Sequence, residues 1–341
     1  MRIRLSRLLA LILMLSSLML AACGGTRQPA VPEGSSGGGS PSATTPVEIT
    51  IGTGPSGGAF YPLGVKLSES IPQVLPNYRV TAQPTGAGAE NIKRVSSGEL
   101  DLGITYASNI YWANRGEKIF TQAIPVRILV AGQLAPYVLV VRQDSGVRSW
   151  TDLKGKRIVD APQGGLLGTE LFAAALQCYG LSSKDLKSVS KAANLQDAVE
   201  QIKNGQLDGV FWPVPRGTTP SALIDLARST GVSWVGFDEG TVAKLLEIFP
   251  FLRRVEVPAG SNEGQSAPYV TVSDTTVIFV HESMDQTVAY DLTKAIVENN
   301  RFTEIGPAGA EWTLEAAVAC KGSVDYHPGA VKYYKEKGVW D

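Results

Sequence analysis

The sequence predicts an α/β fold of two similar lobes, each with a mixed sheet flanked by helices, and two chain crossings between the lobes. Apolar strands alternate with amphipathic helices over most of the chain, which is typical of a sheet covered by helices. One helix–strand junction occurs twice, as SGELD at 97–101 and NGQLD at 204–208. Two longer apolar strands, at 137–141 and 275–280, interrupt the alternation and are interpreted as the crossings.

The amino terminus carries an export signal. Three arginines precede an apolar stretch at 8–20, and LAAC follows at 20–23. A basic flank, a short apolar core and small residues before a cleavage position are typical of such signals. The core of about 13 residues is too short for a membrane-spanning helix, which needs about 20. LAAC resembles the bacterial lipobox, which implies a signal peptide at 1–22, an acylated Cys23 and a lipid-anchored protein outside the cytoplasm.

Residues 23–45 are predicted to be a flexible tether. This segment is rich in Gly, Ser, Pro and Thr and cannot bury enough apolar surface to fold. The remainder, from residue 46 to 341, has the size of two domains. We expect the first lobe to comprise 46–137 and 275–341, and the second lobe 138–274.

Composition excludes several classes of function. The formal net charge is −1 and no cluster of Lys and Arg forms a basic stripe, so nucleic-acid binding is not expected. The two histidines and three cysteines lack metal-ligand spacing, so no structural or catalytic zinc site is expected. No cofactor is expected, and the sequence leaves open whether sodium or calcium accompanies the ligand. Cys178 and Cys320 form either a disulfide or two separate buried thiols. Because no second apolar run approaches 20 residues, the membrane is contacted through the lipid anchor alone.

The first lobe begins with a strand at 47–51, a glycine-rich turn at 52–58 and a helix at 59–71 with apolar residues at 3–4 spacing. A strand at 78–82, a helix at 89–97 and a strand at 102–106 follow. In the second lobe the corresponding segments are a strand at 158–160, helices at 169–179 and 195–203, and a strand at 209–212. Ligands bind beyond the carboxyl ends of such strands, so two facing lobes predict a cleft that closes on a hinge.

The glycine-rich turn fits two catalytic or cofactor motifs poorly. GTGPSG at 52–57 matches a dinucleotide fingerprint, but the second strand ends without the acidic residue that would bind the ribose. GPSGG at 54–58 matches a nucleophile elbow around Ser56, with His281 or His327 as the base. Hydrolases of that type need an oxyanion loop from an earlier strand, and this elbow follows the first strand.

An anion-binding loop is the third interpretation. Free N–H groups and the dipole at a helix start attract a negative group, and small residues let it approach the backbone. Thr53 and Ser56 add hydroxyl donors, and Tyr61 lies in the first helical turn. A plain strand–helix connection remains an alternative.

Several motifs resemble the TAXI solute-binding proteins, the extracytoplasmic receptors of TRAP transporters. They are IGTG at 51–54 with GG at 57–58, YPLG at 61–64, TG at 85–86 with EN at 90–91, SGELDL at 97–102, and HPGA at 327–330 with YY at 333–334. DLKGKR at 152–157 is shared by many binding proteins. The resemblance covers nearly the whole folded region.

The resemblance implies a periplasmic-binding-protein-like clamshell of type II and a TRAP permease as the membrane partner. It also implies a small-molecule carboxylate as the ligand, glutamate-like or a dicarboxylate. The ligand-binding residues implied by the resemblance or by their place in the loops are Thr53, Ser56, Gly57, Tyr61, Tyr106, Ser108, Gln163, Thr169, Trp212 and Arg216.

The second lobe departs from the family pattern. The loop at 162–170 is longer and more apolar than the compact family loop, and Trp212 and Arg216 stand where small residues are usual. Trp212, Tyr106 and Tyr61 either form an aromatic wall for a larger, less polar carboxylate or, in the case of Trp212, pack in the core. Arg216 either pairs with a ligand carboxylate or is a solvated loop charge. His327 is expected to be structural.

These observations favour a solute receptor that closes on its ligand, with no catalytic residue. Two alternatives remain open. The same fold can serve as the extracytoplasmic input of a signalling partner, and a secreted serine hydrolase can be built on Ser56.

Overall fold

The computed structural model describes residues 45–56, 58–162, 166–217, 219–299 and 301–341. The predicted signal peptide, Cys23 and all but the last residue of the predicted tether lie outside the described residues. So do Gly57 and Gln163 of the predicted ligand-binding set.

Strands and α-helices alternate along most of the described chain. In chain order they are β1 (Val47–Gly52), α1 (Phe60–Val74), β2 (Tyr78–Gln83), α2 (Gly88–Ser96), β3 (Leu102–Tyr106), α3 (Ala107–Arg115), β4 (Val126–Arg142), β5 (Arg157–Pro162), α4 (Leu166–Cys178), β6 (Ser188–Ala192), α5 (Leu195–Lys203), β7 (Gly209–Pro213), α6 (Ser221–Thr230), β8 (Val232–Val235), α7 (Glu239–Ile248), β9 (Arg253–Val257), β10 (Tyr269–His281), α8 (Gln286–Glu298), α9 (Leu314–Ala317) and α10 (Pro328–Glu336).

The strands form one mixed sheet in the order β2-β1-β3-β10-β4-β7-β5-β6, with β8 on β4 and β9 on β10. The sheet contains two groups of three parallel strands, and the strands are arranged in the same way in both groups. In the first half, β1 lies between β2 and β3; in the second half, β5 lies between β6 and β7. An antiparallel strand completes each half, β10 beside β3 and β4 beside β7.

The repeated sequence motif makes the same contacts in both halves. Gly98 and Gly205 take left-handed conformations, with φ of 75° and 70°, where the helix ends. Asp101 then accepts a hydrogen bond from the backbone N–H of Thr50 at 2.7 Å, and Asp208 accepts one from the N–H of Arg157 at 2.7 Å. In each half, therefore, an aspartate at the start of the third strand pins the neighbouring first strand.

The two long strands β4 and β10 run through both halves. The first part of β4 pairs with β10, and its last part pairs with β7 and β8. Similarly, β10 pairs with β9 at its start and with β3 near its end. The predicted fold class, an α/β protein with a mixed sheet, flanking helices and two crossings, is confirmed. The predicted lobe boundaries stay a prediction.

Close packing fixes α1 against the loop that follows β1. The helix buries Leu63, Leu67 and Ile71 at the predicted spacing, with exposures of 2%, 1% and 0%. A Cβ atom at Gly64 would lie 2.1 Å from Cγ2 of Thr53, so only glycine permits this approach. The start of α1 is thereby held at the carboxyl end of β1. Within the described residues, no helix is both long and apolar enough to cross a membrane.

Candidate ligand-binding cleft

Two adjoining cavities lie between the halves of the sheet, beyond the carboxyl ends of β3 and β7. The large cavity has a volume of about 670 Å³ and the small cavity about 380 Å³. Tyr106, the last residue of β3, and Pro213, the last residue of β7, line both. We call the two cavities together the cleft.

The described residues that line the large cavity come from both halves and from the carboxyl-terminal segment. They are Gly58, Ala59, Pro62, Leu63, Tyr106, Gln133, Leu195, Trp212, Pro213, Pro215, Pro220, Ser221, Ile305, Ala308, Gly309 and Trp312. None of these described side chains is charged. Most are apolar, and the two indoles, Trp212 and Trp312, come from β7 and from the carboxyl-terminal segment.

The small cavity lies against the starts of α2, α3 and α4. Its described lining residues are Phe60, Gly86, Ala87, Gly88, Ala89, Glu90, Tyr106, Ser108, Asn109, Ile119, Tyr137, Leu166, Leu167 and Pro213. Glu90 is the one charged side chain among them. Its Oε2 accepts a hydrogen bond from the N–H of Gly86 at 2.9 Å, and its Oε1 lies 3.5 Å from Arg94.

The helices that begin at the cleft differ in how their first N–H groups are satisfied. Asn194 caps α5 by accepting a hydrogen bond from Asp197, and Glu90 together with the Thr85 hydroxyl occupies the N–H groups before α2. In contrast, α1 and α6 have no side-chain cap. Both begin at the large cavity, α1 from the first half and α6 from the second. Uncapped helix starts carry unsatisfied N–H groups and a partial positive charge. In α1 the Tyr61 N–H already donates to the carbonyl oxygen of Gly58 at 3.3 Å and Pro62 has no N–H, so the remaining donors of this start are the N–H groups of Ala59 and Phe60.

Gln133 of β4 is a polar side chain in the wall of the large cavity and is 7% exposed. Its Nε2 donates a long hydrogen bond of 3.5 Å to the carbonyl oxygen of Arg216. Within the described residues its Oε1 has no hydrogen-bond partner. Buried amides normally satisfy both ends, so Gln133 presents hydrogen-bonding capacity to the cavity.

Trp312 packs directly on the backbone of β4. A Cβ atom at Gly132 would lie 2.2 Å from Cδ2 of the indole, so this contact requires glycine. On its other side the indole contacts Phe302, with ring centroids 4.7 Å apart. These contacts hold Trp312 as a rigid wall of the large cavity.

A buried carboxylate lies behind Tyr106. Asp274 of β10 has no exposed surface, and its Oδ1 accepts hydrogen bonds from the N–H groups of Ser108 at 3.3 Å and Thr275 at 2.8 Å. Its Oδ2 is buried without a hydrogen-bond partner among the described residues. Burial raises the pKa of Asp274 to about 6, although the hydrogen bonds oppose the shift.

Two tyrosines share the environment of Asp274. Burial, and secondarily the Asp274 carboxylate, raises the pKa values of Tyr106 and Tyr137. The ring of Tyr106 packs edge-on against Phe60, with centroids 5.2 Å apart. Both phenols therefore stay protonated and can donate hydrogen bonds at neutral pH.

Basic residues beside the cleft already have acidic partners. Lys118 precedes Ile119 of the small cavity, and its Nζ lies 3.0 Å from Glu170 of α4. Arg216 follows Pro215 of the large cavity, and its Nε lies 3.2 Å from Glu311. Neither cation lines either cavity.

The structure brings three of the predicted ligand-binding residues together. Tyr106 lines both cavities, Ser108 lines the small one and Trp212 lines the large one. Tyr106 and Trp212 therefore share the large cavity, as the aromatic-wall interpretation requires. Tyr61, the third member of that wall, is half-buried and lines neither cavity.

The predicted loop hydroxyls lie differently from expectation. Thr53 is fully buried, and its hydroxyl donates to the carbonyl oxygen of Gln83 at 2.9 Å, which ties the loop to β2. Ser56 is exposed and lines neither cavity. What faces the large cavity from this loop is the start of α1, at Gly58 and Ala59.

Two predicted residues of the second half have protein partners. Thr169 lies in the first turn of α4, where its hydroxyl contacts Lys191 and the buried carboxyl of Asp160. Arg216 pairs with Glu311, and both line a third cavity of about 380 Å³, which shares Pro215 with the large cavity and also includes Tyr269. Neither lines the cleft.

The two histidines and the two described cysteines do not line the cleft. His327 is 2% exposed and its Nδ1 caps α10 by accepting the N–H of Gly329, which confirms its structural role. His281 bonds Ser283 and lines a cavity with Gly98 and Asp101, at the amino end of β3 and therefore at the opposite edge from Ser56. Within the described residues Cys178 and Cys320 are unpaired thiols.

Several cleft residues have only weak sequence signals. Asp274 stands in the middle of the buried strand β10, and an acid in a buried strand is such a signal. Gln133 interrupts the apolar strand β4 in the same way. Trp312, Ile305 and Ala308 carry no signal, because only the tertiary fold brings the carboxyl-terminal segment to the cleft.

The fold and the cleft define an α/β protein whose cavity lies between two repeated halves. The sequence profile of the NMT1-like family matches residues 51–338, and the chain belongs to this family.

Several solved structures are similar to most of this chain. The alkanesulfonate-binding protein SsuA from Xanthomonas axonopodis pv. citri, bound to MOPS, is 18% identical over 86% of this chain and 84% of that chain, with a TM-score of 0.46. The periplasmic aliphatic sulphonate binding protein SsuA from Escherichia coli is 13% identical over 85% and 83%, with a TM-score of 0.45. A histidine kinase sensor domain with similarity to periplasmic binding proteins is 14% identical over 79% and 96%, with a TM-score of 0.45. These likenesses define neither a ligand nor a partner for this chain.

Proposed function

We propose that the protein is an extracytoplasmic receptor that captures a small carboxylate in the cleft and delivers it to a TRAP-type membrane permease. One observation carries the binding role. The uncapped starts of α1 and α6 reach the same 670 Å³ cavity from opposite halves of the molecule.

The chemistry of the large cavity suits one anionic group. N–H groups at helix starts hold carboxylates and related anions through hydrogen bonds and the helix dipole. The hydroxyl of Ser221 and the amide of Gln133 add polar groups beside them. A carboxylate that bridges the two helix starts contacts both halves at once.

The proposed mechanism is closure. Lobes 46–137 with 275–341, and 138–274, would rotate about the long strands β4 and β10, which run through both halves. Ligand favours the closed form only by the contacts that it gains from the second lobe. In this proposal Tyr106, Ser108 and Trp212 contact the ligand, and Gly57 and Gln163, which lie outside the described residues, remain candidates.

The permease partner and the location rest on the sequence. The motifs resemble those of receptors that serve TRAP permeases, and the signal at 1–23 resembles that of a lipid-anchored protein. Permease genes beside the gene for this protein would support the assignment. A histidine-kinase gene in their place would favour the sensor alternative.

No residue receives a catalytic role in this proposal. Ser56 is exposed, and His281 bonds Ser283 at the opposite strand end. A fluorophosphonate reagent should therefore leave the protein unlabelled. Labelling at Ser56 would contradict the proposal and support the hydrolase alternative.

A thermal-shift screen of the full-length protein tests the binding role. The screen compares carboxylates with their amides and with uncharged sugars. A ligand that binds only the folded form stabilises it by about 2.7 kcal/mol at a hundred times its dissociation constant. We expect a rise in the melting temperature with carboxylates alone. If no carboxylate shifts the melting temperature, the proposal fails.

A further inference from the structure

We infer that the cleft selects acids that carry one carboxylate on an aromatic or otherwise apolar body, and discriminates against dicarboxylates. This inference rests on the proposed function and narrows its ligand class. It follows from the charges and the surface of the described residues around the large cavity.

The charge of the large cavity suits a ligand with a single carboxylate. No charged side chain is present among the described residues that line the large cavity. The uncapped helix starts of α1 and α6 provide for one anionic group. A second carboxylate would be buried without a cation, which is unfavourable in a low-dielectric site.

The surroundings increase this discrimination. The charged side chain lining the described part of the small cavity is an acid, Glu90, and Asp274 lies buried behind Tyr106. Like charges disfavour a second carboxylate near either group. The neighbouring cations, Lys118 and Arg216, already pair with Glu170 and Glu311 at 3.0 and 3.2 Å.

The walls of the large cavity suit a ligand with an apolar body. Trp212 is half-buried in the wall contributed by β7, and Trp312 is 5% exposed in the wall contributed by the carboxyl-terminal segment. Leu195, Ile305 and Leu63 add aliphatic surface. Indoles bind flat apolar groups through large contact area and offset or edge-to-face packing. A ligand with an aromatic or branched apolar body would bury this surface, whereas a short polar acid would leave the surface exposed to solvent.

Matched ligands test the inference by isothermal titration calorimetry on the full-length protein. 4-Phenylbutanoate and glutarate share a three-carbon chain and one carboxylate, and differ only in a phenyl ring against a second carboxylate. 4-Phenylbutanamide keeps the ring and removes the charge. Phenylacetate, 3-phenylpropanoate, indole-3-acetate and glutamate extend the panel.

The inference requires at least one aryl acid to bind at least tenfold more tightly than both glutarate and glutamate, and 4-phenylbutanoate to bind at least tenfold more tightly than its amide. Tighter binding of glutarate or glutamate would overturn the inference and leave the proposed receptor function standing. Failure of every carboxylate to bind would overturn both. Equal binding of 4-phenylbutanoate and its amide would overturn the assigned role of the carboxylate.

A pair of tryptophan variants locates the apolar contact. Trp212→Ala should weaken aryl-acid binding at least tenfold and change glutarate binding less than twofold. Trp340→Ala also removes a half-buried indole, but from a cluster with Tyr326 and Tyr334 away from the cleft, and should leave the affinity unchanged. Melting temperatures of both variants show that they fold. Equal affinity losses in the two folded variants would overturn the inference.

Discussion

Asp274 accepts a hydrogen bond of 3.3 Å from the backbone N–H of Ser108, and this contact joins the long strand β10 to the start of α3. The Asp274 carboxylate thereby occupies the one helix start that lies directly behind Tyr106. The starts of α1 and α6, in contrast, have no side-chain cap, and the proposed carboxylate site lies there.

Burial of Asp274 predicts a specific dependence of stability on pH. The pKa of Asp274 rises from 3.8 to about 6 on folding, so the folded state favours the protonated form. Its contribution to stability is therefore greatest below pH 3.8 and is lost as the pH rises through 6. A shift of this size corresponds to about 3 kcal/mol.

The Asp274→Asn variant should lack this change. Urea unfolding between pH 2 and 8 measures it as the difference in pH dependence between variant and wild type. Asp208→Asn is a control in which the pH dependence of stability should change in the opposite direction. Burial opposes ionisation of the Asp208 carboxyl, but hydrogen bonds from Arg157 outweigh burial and lower the pKa of Asp208. Its stabilising contribution is present above the unfolded pKa and is lost on acidification. Identical pH profiles for wild type and Asp274→Asn would contradict the account of Asp274.

The packing of Trp312 on Gly132 predicts that this glycine shapes the large cavity. Gly132→Ala places a Cβ atom 2.2 Å from the indole, so Trp312 must move. We expect a loss of about 1–3 kcal/mol in the free energy of unfolding and at least a tenfold loss of ligand affinity. Gly240→Ala is the control, because Gly240 lies in the first turn of α7 and lines neither cavity, and an added Cβ atom would lie 3.2 Å from Oδ1 of Asp238. Unchanged affinity in Gly132→Ala would contradict the role of Trp312.

The backbone conformation of Lys118 predicts that a glycine variant is more stable than an alanine variant at this position, which reverses the usual order. Lys118 has φ of 60°, a region that side chains with a Cβ atom disfavour. Lys118→Gly should be about 1 kcal/mol more stable than Lys118→Ala. Both variants lose the ion pair with Glu170, so that loss cancels in the comparison.

Glu117 supplies the matched control, because it lies next in the chain without a left-handed φ. There alanine should be more stable than glycine. Thermal unfolding of the four variants measures both differences. The same order at both positions would show that Lys118 is unstrained.

Arg216 is predicted to support the fold rather than the ligand. Burial raises the pKa of Glu311, and Arg216 partly offsets that effect. Arg216→Met should therefore lower the free energy of unfolding by roughly 1 kcal/mol at pH 7, and change carboxylate affinity less than twofold. Arg228→Met breaks a more exposed pair with Glu263 and should leave the free energy of unfolding unchanged. A tenfold loss of affinity in Arg216→Met would instead assign Arg216 to the ligand.

The sequence predicts the alternation of strands and helices well, because local patterns determine it. Alternating and 3–4 apolar spacing mark β1, α1 and β3, and the repeated SGELD and NGQLD motifs identify equivalent junctions. Those junctions need a left-handed glycine and an aspartate beside the first strand of each half. Both the glycine and the aspartate can be read directly from the two motifs.

The cleft is less predictable, since it depends on contacts between distant segments. Tyr106 and Trp212 end predicted strands, Ser108 follows one closely, and all three line the cleft. Thr53 and Arg216 have the chemistry of ligand-binding residues, but Gln83 and Glu311 occupy their polar groups. Only the folded chain brings these partners within reach.

A crystal structure with a bound aryl acid would test the central claim most directly. The account predicts that the ligand carboxylate accepts hydrogen bonds from N–H groups at the starts of α1 and α6, and that its apolar body contacts Trp212 and Trp312. A carboxylate bound to Arg216, or a ligand outside the cleft, would contradict it.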